Sequence, residues 1–341
     1  MILYIKHAER SFVMIQKLYV CQSWDTDPYR NIALEKHLLD SLMPGDCVLY
    51  LWQNKNTVVI GRNQNAWAEC RTTLLEQEGG MLARRLSGGG AVFHDLGNLN
   101  FTFLVNEEDY DVDKQLSVIQ AALADLGLNA EKSGRNDLLV EGRKFSGNAF
   151  FHRNGHAYHH GTLLVSADMD KLSRYLTPPK AKLEAKGVAS VRSRVANLSE
   201  FAPALTCDLL RQYMVQAFSQ VYGLSCRDYV LPADAEKLIT ATATELSGWD
   251  WLFGSRLPFS FSCEAKYDWG WIQLQLQVES GVVIGAQVYS DAMDWELPHQ
   301  VEACLIGCKF NVNALCKCIE GSITDNSAAK DICRLLEEQN L

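Results

Sequence analysis

Three consecutive glycines, Gly88 to Gly90, stand between a pair of arginines, Arg84 and Arg85, and the apolar run Ala91, Val92 and Phe93. Neither a helix nor a strand interior suits such a triplet, because glycine pays the largest backbone entropy on ordering and offers no side chain to pack. The chain must therefore carry a loop here, supported by a frame built from other segments. Its bare backbone N–H groups let an anionic ligand approach closely. Arg84 and Arg85 bring forked guanidinium groups suited to phosphate or carboxylate oxygens. No Gly-Lys-Ser/Thr follows, so the loop is not of the Walker type. A glycine-rich hairpin with solvated arginines is the plainer alternative. Arg85, Ser87 and His94 together favour the ligand-binding one.

The frame reads as α+β. Residues 17–22 alternate apolar and polar side chains, and Asp27 then offers an N-cap with proline at the first helical position. The spacing of Ile32, Ala33, Leu38, Leu39 and Leu42 predicts a helix to about residue 42, stopped by Pro44 and Gly45. Short β-rich runs follow at 47–52, 57–61 and 99–105. A second helix is expected over 116–126, ended by Gly127, and strands at 137–140, 144–147 and 158–165. The mixed connection lengths favour a large mixed sheet with packed helices over a regular doubly wound fold. Residues 178–194 form a polar stretch rich in lysine, arginine and proline that cannot be a core strand. Helices are expected at 207–222 and 234–246. Residues 259–290 alternate like an antiparallel meander, and 297–340 read as helical. With 341 residues the chain exceeds the roughly 250–300 at which one core stops growing. We expect a large domain over 14–246 and a small α+β domain over 247–341, with residues 1–13 an extension ahead of a second start at Met14.

A net charge of -9 and a pI near 5.4 argue against binding nucleic acid through overall charge. No apolar run approaches the roughly 20 residues a membrane span needs, and the N-terminus lacks the apolar core of a secretory signal. The eleven cysteines are odd in number, scattered and without paired C-x-x-C spacing, which suits reduced thiols in a cytoplasmic protein better than disulfides or zinc.

Two more segments carry chemistry. The polar turn SGRND at 133–137 places Asn136 and Asp137 at a strand entrance, where such a pair either caps its own backbone or holds a metal-bound phosphate. The next strand carries Lys144 between Gly142 and Gly147. By itself that lysine is a solvated strand residue; turned toward the glycine loop, its charge would neutralise an α-phosphate and a carboxylate together. Four of the eight histidines fall at 152, 156, 159 and 160, in a hairpin turning through Asn154 and Gly155. Their spacing matches no zinc motif. His159 and His160 face opposite sides of one strand, so that one can line a pocket while the other meets solvent. Trp52 ends an apolar strand and reads as core or as the wall of an apolar ligand site.

LW at 51–52, VIGR at 59–62, RRLSGGGAVFHD at 84–95, SGRND at 133–137, RKFSG at 143–147, HHGTL at 159–163, AKG at 185–187 and VRSRV at 191–195, in this order and spacing, resemble the bacterial lipoate-protein ligases. The resemblance runs from about residue 17 through the second domain. It implies a biotin/lipoate-ligase-like fold and a two-step reaction. Lipoic acid and ATP give lipoyl-adenylate and pyrophosphate, and a lysine of an acceptor protein then displaces AMP. Carried over by motif, Lys144 is the catalytic residue, acting electrostatically. Arg85, Gly90, Ala91, Val92, Phe93, Asn136, Asp137, Lys144 and Lys186 would hold ATP and the adenylate, with Asp137 near Mg²⁺. Trp52, Arg85, Ser87, Gly88, Gly89, His94, Lys144 and His160 would surround lipoate. Residues 178–194 match the family's adenylate-binding loop, mobile before ATP binds. The catalytic domain would be residues 14–246, and the small domain, 247–341, resembles the family's accessory domain, needed for adenylation. The expected partners are lipoyl domains of 2-oxoacid dehydrogenase E2 subunits and the glycine cleavage H protein, and the expected state is a monomer. An octanoyl or lipoyl transferase of the same superfamily would need a nucleophilic cysteine near the lysine, yet no cysteine lies between Cys70 and Cys207. The glycine-arginine loop of a biotin ligase is absent. Retention of Lys144, Arg85 and Asp137 speaks against a non-catalytic lipoate-binding protein.

Overall fold

Strand β2 (Asp46–Trp52) is buried at every position, which is why its sequence is a continuous apolar run rather than an alternating one. It lies inside an eight-stranded sheet of order β11-β1-β2-β6-β10-β9-β8-β7. The other members are β1 (Lys17–Gln22), β6 (Asn98–Asn106), β7 (Ala130–Ser133), β8 (Asp137–Val140), β9 (Arg143–Arg153), β10 (His156–Leu164) and β11 (Cys226–Asp228). The computed structural model describes residues 15–134, 137–177, 195–254 and 259–339. β1 runs parallel to both its neighbours and every other pairing is antiparallel, so the sheet is mixed, as expected.

Helices cover both faces. On one side Leu49, Leu51, Phe101 and Phe103 pack against the helices Val112–Ala124 and Cys207–Tyr222. On the other side Val48, Tyr50, Trp52 and Tyr158 pack against α1 (Pro28–Asp40) and the helix Ala235–Ser247. The Asp27 carboxylate caps α1 by accepting the N–H groups of Tyr29 and Arg30 at 2.8 and 3.1 Å. The helix expected from residue 116 starts four residues earlier, because the Asp111 side chain accepts the Lys114 N–H and adds a turn ahead of the apolar periodicity.

A small sheet, β4-β3-β5, leans against the large one and was only partly legible as strands. β3 (Thr57–Ile60) pairs parallel with β4 (Met81–Arg84) and antiparallel with β5 (Val92–His94), so the glycine triplet is the β4–β5 connection. Beyond the helix Trp249–Phe253, the meander β12 (Phe261–Tyr267), β13 (Gly270–Glu279) and β14 (Val282–Ser290) packs with three helices, Leu297–Leu305, Val312–Ser322 and Asn326–Glu337, around a core of its own. No described helix is long and apolar enough to cross a membrane. All eleven cysteines are free thiols.

The meander unit docks on the small sheet. Gly89 N–H donates to Ala292 O at 3.0 Å, Ser290 N–H to Asn63 O at 2.9 Å, and the Asn63 amide to Trp295 O at 2.6 Å. Arg84 ties the helix Trp249–Phe253 to this junction. Its guanidinium donates to the carbonyls of Trp251, Leu252, Gly61, Arg62 and Gln64.

Candidate active site

Where the small sheet, β9, β10 and the meander unit meet, they enclose a cavity of ≈ 390 Å³, within the range of small-ligand sites. The glycine triplet forms one wall, and its members have different duties. A side chain at Gly88 would collide with the carbonyl oxygens of Ala292 and Met293. Gly89 takes the left-handed backbone at φ +88°, which glycine alone adopts without strain. Gly90 has nothing within 4 Å of its would-be Cβ and borders open cavity. Arg85 braces the loop from inside. Nε donates to Ser87 Oγ at 3.1 Å and to Gly88 O at 3.2 Å, and Nη2 donates to Gly88 O and Gly90 O at 2.6 and 2.9 Å. Burial pushes its guanidinium pKa down to about 10, which leaves the group charged at neutral pH. Arg84, its neighbour on a strand, points away from the cavity into the carbonyls described above.

Lys144 lines the same cavity from β9. Its Nζ is 2.6 Å from Asp137 Oδ1, and both side chains are about one-third exposed (35% and 34%). The lysine folds over Gly147, whose would-be Cβ lies 3.1 Å from Nζ, so the missing side chain there is what makes room for the ammonium group. Its own carbonyl accepts the Ala196 N–H at 2.9 Å, and Lys144 bridges Val195 in parallel fashion. The chain that follows residues 178–194 is thus hydrogen-bonded to the backbone of Lys144 itself.

The deep end is a relay of buried polar groups inside apolar surroundings. Trp52 Nε1 donates to Thr102 Oγ1 at 3.1 Å, and Thr102 Oγ1 donates to Glu35 Oε1 at 2.7 Å. His160 Nδ1 lies 2.8 Å from the same carboxylate oxygen, and its Nε2 lies 2.7 Å from Ser87 Oγ. The carboxylate of Glu35 is fully buried, so it fixes His160 with Nδ1 as donor and Nε2 toward Ser87. His94 is held differently. The amides of Asn54 and Asn100 face its Nδ1 at 3.2 and 3.4 Å, leaving the ring proton on Nε2, which has no partner among the described residues. Burial, with Arg85 and His160 nearby, pushes its pKa down to about 3, so it is neutral. Its ring stands edge-on to Trp52, and Trp52 stacks on Tyr50.

Trp52, Arg85, Gly89, Gly90, Ala91, Val92, His94, Asp137, Lys144 and His160 all line this one cavity. Strand alternation sorts the rest of the loop: Val92 and His94 face the cavity, whereas Phe93 turns to the opposite core against Tyr175. Ser87 sits behind His160, and Gly88 is spent on the meander unit. Asn136, Lys186 and residues 1–13 and 178–194 lie outside the described residues. His159 does face away from His160, but it does not meet solvent. Helix Val112–Ala124 covers that face, Gln115 and Asn148 bond the ring, and burial holds its pKa down at about 3. Sequence reasoning missed Glu35, although it falls three residues after Ile32 and three before Leu38, on the apolar face of α1. It also missed Lys266, Asp268, Asp291 and Met293, which enter the cavity from the meander unit.

The glycine loop and Lys144 converge on one cavity with a buried polar end, and the class of protein follows from its likeness to known ones. The lipoyl protein ligase A/B catalytic domain family matches residues 27–219, and the bacterial lipoate protein ligase C-terminus family matches residues 257–336. The lipoate-protein ligase A of Psychrobacter cryohalolentis is 42% identical over 305 residues, covering 86% of this chain and 89% of that protein. P. falciparum LipL1, solved with lipoate, superposes with a TM-score of 0.81 at 26% identity over 93% of this chain and 98% of its own. A lipoate-protein ligase A bound with ATP superposes with a TM-score of 0.62 at 28% identity, over 71% of this chain and 99% of its own. The chain belongs to the lipoate-protein ligase A family.

Proposed function

We infer that this protein joins lipoate to ATP and passes the lipoyl group to a lysine of an acceptor protein. The observation that carries the reading is Lys144, held by Asp137 at 2.6 Å in the cavity that the glycine loop also lines, with Trp52, His94, His160 and the buried Glu35 in the same cavity. In the first step a carboxylate oxygen of lipoate bonds to the α-phosphorus, the bond from that phosphorus to the bridging oxygen breaks, and pyrophosphate leaves. Lys144 neutralises the gathering negative charge there. In the second step the neutral acceptor amine attacks the acyl carbon, the bond from that carbon to the phosphate oxygen breaks, AMP leaves, and the amine's proton passes to solvent, while the same ammonium stabilises the oxyanion. Trp52, His94 and His160 receive the lipoyl chain, while Arg85 shapes the loop around the acyl and phosphate groups. Asn136 and Lys186 add nucleotide contacts. An acyl-adenylate hydrolyses readily, so water must be kept from the cavity while the intermediate is held.

Among the described residues no group of three or more metal-binding side chains exists. Magnesium ordinarily uses one or two carboxylates plus substrate phosphates, which suits Asp137 at the cavity wall. Mg²⁺ would arrive with ATP and offset phosphate charge. In this reading residues 14–246 form the catalytic unit, residues 247–341 form the accessory unit, the protein works as a cytoplasmic monomer, and the acceptors are lipoyl domains and the glycine cleavage H protein. No cysteine is among the described residues lining the cavity, which supports ATP-driven activation over a thioester route.

Lipoate-dependent exchange of labelled pyrophosphate into ATP tests the reading. Exchange is expected with lipoate and none without it. Absence of exchange, with lipoyl transfer proceeding from an acyl-protein donor, would overturn it in favour of a transferase.

A further inference from the structure

Lys266 of β12 is the second lysine of the same cavity. Its Nζ lies 3.0 and 3.1 Å from the carboxylate oxygens of Asp291, and the rest of that carboxylate is engaged, with Oδ1 accepting the Trp271 N–H at 2.5 Å. Asp291 is immobilised further, because the next residue, Ala292, accepts the Gly89 N–H. A short chain of bonds therefore fixes Asp291, and through it places the Lys266 ammonium near the glycine loop. Lys144 enters the same cavity from β9, and each lysine rests on one aspartate.

The third cation of the cavity, Arg85, is committed to Ser87 and to loop carbonyls. The two lysines are instead held by one ion pair each at partly exposed positions, compact charges on flexible stems that an incoming phosphate can draw away. A triphosphate brings several negative charges spread over three phosphorus centres, and Lys144 beside the α-phosphate cannot also attend the departing end. We propose that Lys266 is a further catalytic residue of the adenylation step, releasing Asp291 to bind the β- and γ-phosphates and to neutralise pyrophosphate as it leaves. This rests on the ligase reading above. As the new oxygen–phosphorus bond forms and the old one breaks, the electron pair goes to pyrophosphate, and no proton need move. The transfer step contains no pyrophosphate, so Lys266 has no part in it.

The experiment compares the full chain with Lys266→Met and Lys266→Arg in two assays, lipoate-dependent pyrophosphate exchange and transfer from supplied lipoyl-adenylate to an acceptor lipoyl domain. Lys266→Met is expected to lower kcat/KM for ATP in exchange at least about tenfold, the loss of one charge-assisted contact. Transfer should stay within about twofold, and Lys266→Arg should recover most of the exchange. Thermal melts establish that each variant is folded. Unchanged exchange in Lys266→Met would overturn the proposal. So would equal losses in both assays, which mark a purely structural ion pair, and so would failure of Lys266→Arg to recover when it melts like the parent. If the unsubstituted protein shows no exchange at all, the ligase reading itself fails, which is a separate outcome.

Discussion

Gly147→Ala separates catalysis from folding. The added Cβ would lie 3.1 Å from Lys144 Nζ and 3.3 Å from its Cε, with no other heavy atom within 4 Å. Ordinary contact between such atoms is about 3.5–4.0 Å, so the ammonium must retreat by about half an ångström. The retreating group is the far end of a flexible side chain, and Gly147 does not occupy left-handed backbone. Stability should therefore change by less than about 1 kcal/mol. Catalysis should be less tolerant. A misplacement of about 1 Å can cost about a hundredfold, so half of that predicts roughly a tenfold fall in pyrophosphate exchange. Gly161→Ala is the contrasting change. Its Cβ would meet Gly147 O at 2.7 Å and both Asn148 Oδ1 and the Phe101 ring at 2.8 Å, none of which can retreat freely. That overpacking should cost about 1–3 kcal/mol. Denaturant titration gives the stabilities and exchange gives the rates. If Gly147→Ala exchanges like the parent, or loses as much stability as Gly161→Ala, the reasoning about Lys144 is wrong.

Two other expectations follow from buried charge and buried imidazole. His94 and His159 titrate near 3 in the folded protein, against about 6.5 when unfolded. The unfolded chain then binds more protons below about 6.5, so stability is full above that pH and falls by about 1.4 kcal/mol per unit per histidine as the pH drops toward 3. Denaturation midpoints at pH 7, 6 and 5 should fall in that order, and a flat profile would contradict neutral, buried rings. Arg84→Met removes the donors to five carbonyls and leaves buried oxygens unpaired, so it should destabilise the protein by about 2–4 kcal/mol. A melt close to that of the parent would show that Arg84 carries no such load.

The features legible in the sequence were those with local causes. The Asp27 cap, the Asn154-Gly155 turn with both residues at positive φ (53° and 77°), and the lysine flanked by glycines follow from rules that act over a few residues. The strands β4 and β5 are too short for periodicity to announce, since each exists by pairing with β3. Glu35 was readable in principle. A carboxylate spaced at three residues from Ile32 and Leu38 on an amphipathic helix contradicts its own face, and such a contradiction marks a buried partner. His159 was misjudged because the covering of the second sheet face depends on where the helices 112–124 and 207–222 come to rest. Lys266 and Asp291 could not be placed at all, because their position is set by how one folded unit docks on another.

The three glycines of the loop also bear on which substitutions this chain can absorb. A side chain at position 88 would evict the neighbouring unit, and one at position 89 would strain the backbone. At position 90 the fold has room, with ordinary backbone and no atom within 4 Å. A methyl group there meets no described atom of the empty protein, so a loss of exchange in Gly90→Ala would report contact with a molecule in the cavity and not damage to the fold.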